Sequence, residues 1–170
     1  RTDGTLVGVA YDKDQDICGW SQHQVGGYSD SGQSVAALVE SVASIPAQTV
    51  DRDEVWVVVK RYINGATVRY VELMDKFWED GDAAEDGVFL DSSAEYSGAA
   101  TATITGLTWL KGQTVKVLTN GATHPDCVVD SSGEIALQRS TTKAQVGLGY
   151  TSEGKLMRIE AGGADGPAQG

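Results

Sequence analysis

One stretch limits the fold more than any other. Glu54-Val55-Trp56-Val57-Val58-Val59-Lys60-Arg61-Tyr62-Ile63 runs into Asn64-Gly65 and then into Ala66-Thr67-Val68-Arg69-Tyr70-Val71-Glu72-Leu73. Asn-Gly tolerates the positive φ angles of a type I′ turn, and the twist of that turn matches two right-twisted strands. The segment therefore reads as a long β-hairpin. Val55, Val57 and Val59 point to one face, Trp56 and Val58 to the other. A strand apolar on both faces belongs between layers.

The rest of the chain carries the same period. Leu6–Tyr11 and Asp16–His23 read as strands around an acidic turn, and residues 26–34 as a loop. From Val39 to Ile45, alternation sets Val39, Ser41, Ala43 and Ile45 against Glu40, Val42 and Ser44. Residues 35–44 are the only stretch that could pass for a helix, and their β-branched valines weaken that reading. Glu79–Gly87 is a charged, glycine-punctuated break. Beyond it, strands are expected at Val88–Leu90, Ala100–Thr105, Thr114–Thr119, Cys127–Val129, Glu134–Leu137 and Ala144–Leu148, with turns at Asn120-Gly121 and Ser131-Ser132-Gly133. Short strands at this spacing, with 21 glycines and 3 prolines, indicate an all-β chain with a small barrel or sandwich in its second half. The chain opens at Arg1 and closes on a glycine-rich run, and both ends are expected to continue in a longer protein.

Charge narrows the partners. Thirteen Lys and Arg face 24 Asp and Glu, a net charge of −11. Nucleic-acid binding draws on a basic footprint that displaces counterions from phosphates, so specific nucleic-acid binding is not expected. An anionic membrane surface is disfavoured for the same reason, and no run approaches the ~20 apolar residues of a membrane span. Cys18 and Cys127 could pair or stay as free thiols. There is no Cys-x-x-Cys and no Cys/His cluster of zinc type.

The chemistry-bearing residues form no complete site, so no catalytic, metal or cofactor-binding residue is assigned and no cofactor is expected. Asp12-Lys13-Asp14-Gln15-Asp16 begins like a calcium loop, but the positions that need Gly and Glu hold Ile17 and His23. A solvated acidic turn is the better reading. His124 stands three residues before Cys127, with Pro125 and Asp126 between them, and reads as a turn rather than a nucleophile–base pair. Trp56 and Trp109 lie within apolar strings and are expected in the core.

In order, the motifs resemble a known family. Tyr11-x-x-x-Gln15-x-x-x-Gly19-Trp20-x-x-His23 is followed by Val39-Glu40-Ser41-Val42-Ala43-x-Ile45-Pro46 and then Asp53–Gly65 with Val68-Arg69-Tyr70-Val71-Glu72. Gly106-Leu107-x-x-Leu110-x-Gly112-x-Thr114-Val115, Gly133-x-Ile135-x-Leu137 and Val146–Ser152 continue the series. This order is similar to that of tailed-bacteriophage tail proteins of the nozzle-like and stabilisation type. Gly149 departs from the proline that the family often has before the tyrosine. The resemblance implies propeller-type antiparallel strands over 1–78, a small β-barrel or sandwich over 88–160 and a flexible linker at 161–170. It also implies a non-enzymatic structural component of the virion, ringed around a DNA channel, whose partners are other copies of the same protein and neighbouring virion proteins. A receptor- or carbohydrate-binding module is the alternative, with Trp78 or Trp109 exposed to a host-surface glycan. A polysaccharide hydrolase domain is a lesser one.

Overall fold

The computed structural model describes residues 3–47, 53–76 and 78–155, so the expected linker at 161–170 lies outside the described residues. The chain is all-β: among the described residues nine strands form three antiparallel sheets, and none of these sheets closes into a barrel.

Among the described residues, strands β1 (Leu6–Asp12) and β2 (Ile17–His23) pair only with each other, from Leu6 opposite His23 to Asp12 opposite Ile17. Their turn is the acidic segment. Asp12 Oδ1 accepts the backbone N–H groups of Asp14 and Gln15, and Asp16 takes the left-handed conformation.

The second sheet orders β3 (Leu38–Pro46), β4 (Asp53–Ile63) and β5 (Ala66–Met74), with β4 in the centre. The Asn-Gly hairpin falls where the sequence places it. Ile63 pairs with Ala66, and Asn64 and Gly65 have φ of 50° and 79°. Both values suit a type I′ turn, in which only a residue tolerant of positive φ sits comfortably. On β3 a bulge at Glu40 breaks the expected alternation: Val39 pairs with Val59, but Ser41 pairs with Val58. One extra residue reverses the facing of everything after it. Val39 therefore shares its face with Val42 and Ser44, while Ser41, Ala43 and Ile45 lie on the opposite one.

The third sheet orders β6 (Asp91–Ile104), β9 (Ile135–Leu148), β7 (Thr114–Thr119) and β8 (Ala122–Val128). Two expectations are corrected here. Val88–Leu90 is not a strand; it lies outside the sheet, before β6. Glu134–Leu137 and Ala144–Leu148 are not separate strands either, because β9 runs unbroken between them. The polar residues Gln138–Ser140 look like a loop in sequence, but they are exposed strand residues where the β6–β9 register shifts. Pro125 is tolerated in β8 because β8 is an edge strand and needs no donor there.

The main core fills this third sheet: Ile104, Leu107, Leu110, Val115, Val117, Val129, Ile135, Val146 and Leu148 are all buried. Ile63 of the central hairpin belongs to the same cluster, with Val68 and Tyr70 packed against it. The second sheet has a much smaller core of its own, Ala37, Val57 and Val59, which Leu6, Val25 and Val39 partly cover.

Candidate functional site

The chemical groups singled out in the sequence do not converge. His124 Nδ1 lies 2.7 Å from the Pro125 carbonyl, and Nε2 accepts the Gln138 N–H at 3.0 Å. The proton therefore sits on Nδ1, the nitrogen nearest Cys127 Sγ at 3.7 Å. That imidazole is tied to the backbone on both sides and offers the thiol no base. Burial, chiefly, pushes the Cys127 thiol above its usual value. Cys18 is exposed on β2, and both cysteines are free thiols. Among the described residues no three His, Cys, Asp or Glu side chains gather where they could hold a metal ion. Among the described residues, open hollows of ≈ 180 Å³ and ≈ 260 Å³ lie beside Tyr28 and Asn64 and beside His124 and Arg139 respectively. Both are smaller than the roughly 300–1,000 Å³ of ordinary ligand pockets.

A polar junction that sequence reasoning missed holds the halves of the molecule together. Arg61 is fully buried, and its guanidinium forks onto Glu72, with Nη1 to Oε1 at 2.5 Å and Nη2 to Oε2 at 3.1 Å. Its Nε donates to the Gly26 carbonyl at 2.8 Å, while the Gly26 N–H donates to Asp91 Oδ2 at 2.6 Å. One residue of the loop, Gly26, is thus gripped through its carbonyl from the second sheet by Arg61 and through its N–H from the third by Asp91. Burial, above all, raises the Asp91 carboxyl above its ordinary value, with the Gly26 bond and nearby Arg61 opposing. The loop backbone comes close enough that side chains would collide. A Cβ on Gly26 would stand 2.9 Å from the Gly149 carbonyl, and Gly27 has φ of 92° with Leu148 and Arg61 3.1 and 3.2 Å from where a Cβ would stand. Tyr70 adds a hydroxyl bond to the Trp109 carbonyl at 3.0 Å. One signal could have revealed Arg61: it continues the buried alternation Val57, Val59, Arg61, Ile63, and a cation there needs an internal partner.

The surface holds the other unusual feature. Residues opposite one another in antiparallel strands share a face, so Val7, Val9, Tyr11, Cys18, Trp20 and Gln22 line one side of the β1–β2 pair. Every residue of β2 is exposed; Trp20 retains 74% of its accessible surface and Tyr11 70%. The second sheet has a bare face as well. Opposite its buried face stand Ala43, Trp56 and Leu73 in one row and Ser41, Val58 and Val71 in the next. Val71 is 68% exposed. The strand expected between layers is covered on one side only, and Trp56 and Trp109 are half-buried rather than enclosed. Trp78 is exposed, its Nε1 donating to the Ala83 carbonyl at 3.3 Å.

These observations define a class no finer than an all-β chain of three antiparallel sheets with uncovered apolar faces. No protein-family model matches the chain, and no curated protein matches it.

Proposed function

We propose that the chain is a non-enzymatic structural module of a bacteriophage tail, acting through subunit interfaces in a ring around a DNA channel. The observation that carries the interface part is the pair of bare apolar sheet faces, on β1–β2 and on β3–β4–β5. An isolated two-stranded sheet is marginally stable in water, and contiguous exposed apolar surface marks interaction sites. The phage assignment rests on the ordered resemblance of the sequence blocks. In this reading the first two sheets are propeller-type strands and the third is a small barrel-like or sandwich-like unit. The net charge of −11 keeps DNA from adhering during passage.

The test is immuno-electron microscopy of virions from the phage that encodes the chain, with an antibody against the folded chain. Labelling confined to the tail is expected. Virions that carry no label would contradict the assignment. A carbohydrate-binding role has one feature in its favour, the exposure of Trp78. Calorimetry against host-surface glycans, with Trp78→Ala as the control, would reveal it.

A further inference from the structure

The two bare faces lie on opposite sides of the N-terminal half. The β1–β2 arm is rooted on the buried side of the second sheet, through Leu6 against the Val57–Val59 cluster and the Val39 N–H bonded to the Gly4 carbonyl at 2.9 Å. The uncovered face with Trp56, Val58 and Val71 looks the other way. A chain therefore does not lay its arm over its own bare face, and both remain open among the described residues.

The two surfaces also agree in their order of chemistry. Along the arm, the rows Val9/Trp20 and Tyr11/Cys18 are followed at once by the tip Asp12-Lys13-Asp14-Gln15-Asp16, with three acids against one lysine. Along the sheet face, the rows Ala43/Trp56/Leu73 and Ser41/Val58/Val71 are followed by Lys60 opposite Arg69. Glu40 already engages Arg69 through two hydrogen bonds of 2.6 and 3.2 Å, so Lys60 leaves that row with a net positive charge. The other end of the face carries Glu54 beside Ile45. Successive same-face rows are about 7 Å apart in any strand. An arm seated with Val9/Trp20 over Trp56/Leu73 and Tyr11 over Val58/Val71 therefore brings its acidic tip onto Lys60. The reverse orientation would place acid on acid.

We infer that the β1–β2 arm of one copy docks on the bare β3–β4–β5 face of a second copy of this chain, acidic tip toward Lys60. Resting on the proposed structural role, this names its partner and contact. Arm and face are different surfaces, so the contact is heterologous and repeats head to tail into a ring or a filament.

Sedimentation velocity on the full chain tests it. The parent is expected to associate with rising concentration. Trp20→Ser on the arm and Val71→Asp on the face are each expected to weaken association at least tenfold. Both positions are exposed, and unchanged circular dichroism and melting would verify their folds. Mixing the two variants is the decisive step. One intact face then meets one intact arm, and a species of two chains should appear. A parent that stays monomeric, or variants that fail to complement, would overturn the docking. As a second readout, Asp14→Lys and Lys60→Glu should each weaken association, and their equimolar mixture should recover it. Absence of that recovery would overturn the orientation. A monomeric parent that still labels the tail would leave the structural role standing and remove only the self-docking. Association without tail labelling would do the reverse.

Discussion

The third sheet and the β1–β2 arm are made of the same kinds of residue and meet opposite fates. In β7 and β9 the alternating apolar positions Val115, Val117, Ile135, Leu137, Ala144 and Val146 close on one another and on Leu107 and Leu110. In the arm, Val7, Val9, Tyr11 and Trp20 alternate as clearly and stay in solvent. The difference lies in what faces them. The C-terminal strands are four in one sheet, with loops that fold back: the Leu107 N–H bonds the Gly133 carbonyl and the Gly112 N–H bonds the Val129 carbonyl. The arm has two strands, and none of the described residues covers its apolar side. Apolar patterning thus specifies a buried face without specifying that the same chain supplies the cover.

The comparison breaks most readily at the junction. Arg61→Ala removes the cation between Glu72, Asp91 and the Gly26 carbonyl, leaving buried acceptors unpaired. A loss of about 3–5 kcal/mol is expected in chemical denaturation, whereas a loss under about 1 kcal/mol would show that the two regions do not depend on this network. Truncation within each region sharpens the contrast. Leu110→Ala, from a fully buried position, should cost about 3 kcal/mol. Val9→Ala on the arm should stay within about 0.5 kcal/mol in dilute solution. Equal losses would mean that the arm is packed. The turn comes next: Gly65 has open space where a Cβ would stand, so Gly65→Val is opposed by its φ of 79° alone. About 1 kcal/mol or more of stability should be lost; an unaffected melting temperature would place the turn elsewhere.

The smallest effect is a pH dependence. The folded Asp91 carboxyl sits above its unfolded value, so the folded state holds that proton more tightly. Its stabilising contribution is complete below the unfolded value of about 4 and is lost as pH rises through the raised folded value. Asp91→Asn keeps an acceptor for Gly26 without burying a charge. Its stability relative to the parent should improve between about pH 4 and 7, and melts across that range would show it. A relative decline would assign the site a net benefit from the charge. Asp30, Glu40 and Asp82 act in the opposite sense, since hydrogen bonds from Val35, Arg69 and Lys76 respectively hold them low. They favour folding above their unfolded values and lose that effect as pH falls, though as groups at the surface, screened by water, they contribute little.

Much of the architecture was legible because it is local. The Asn64-Gly65 and Asn120-Gly121 turns, and β7 to its residue bounds, follow from turn chemistry and period two. What escaped is non-local. Val88–Leu90 has the composition of a strand, yet Leu90 lies over Gly147, where a Cβ would come within 2.9 Å of the Leu90 Cβ. The continuity of β9 was hidden by Gln138–Ser140, which are polar because they face solvent. Lys60 and Arg61 stand side by side in the hairpin strand, but only Arg61 shares a face with Val59, and its partners Gly26 and Glu72 come from other segments. The acidic turn at 12–16 was read as solvated, and that is how it is placed.

The most direct measurement is amide hydrogen exchange on the full chain, compared between dilute and concentrated solution. In dilute solution the amides of Leu6–His23 should exchange orders of magnitude faster than those of β7 and β9. At high concentration the arm, together with β4 and β5 around Trp56 and Val71, should gain protection while β7 and β9 stay unchanged. An arm as protected as β7 in dilute solution, or one whose exchange ignores concentration, would contradict a module completed by a second copy of itself.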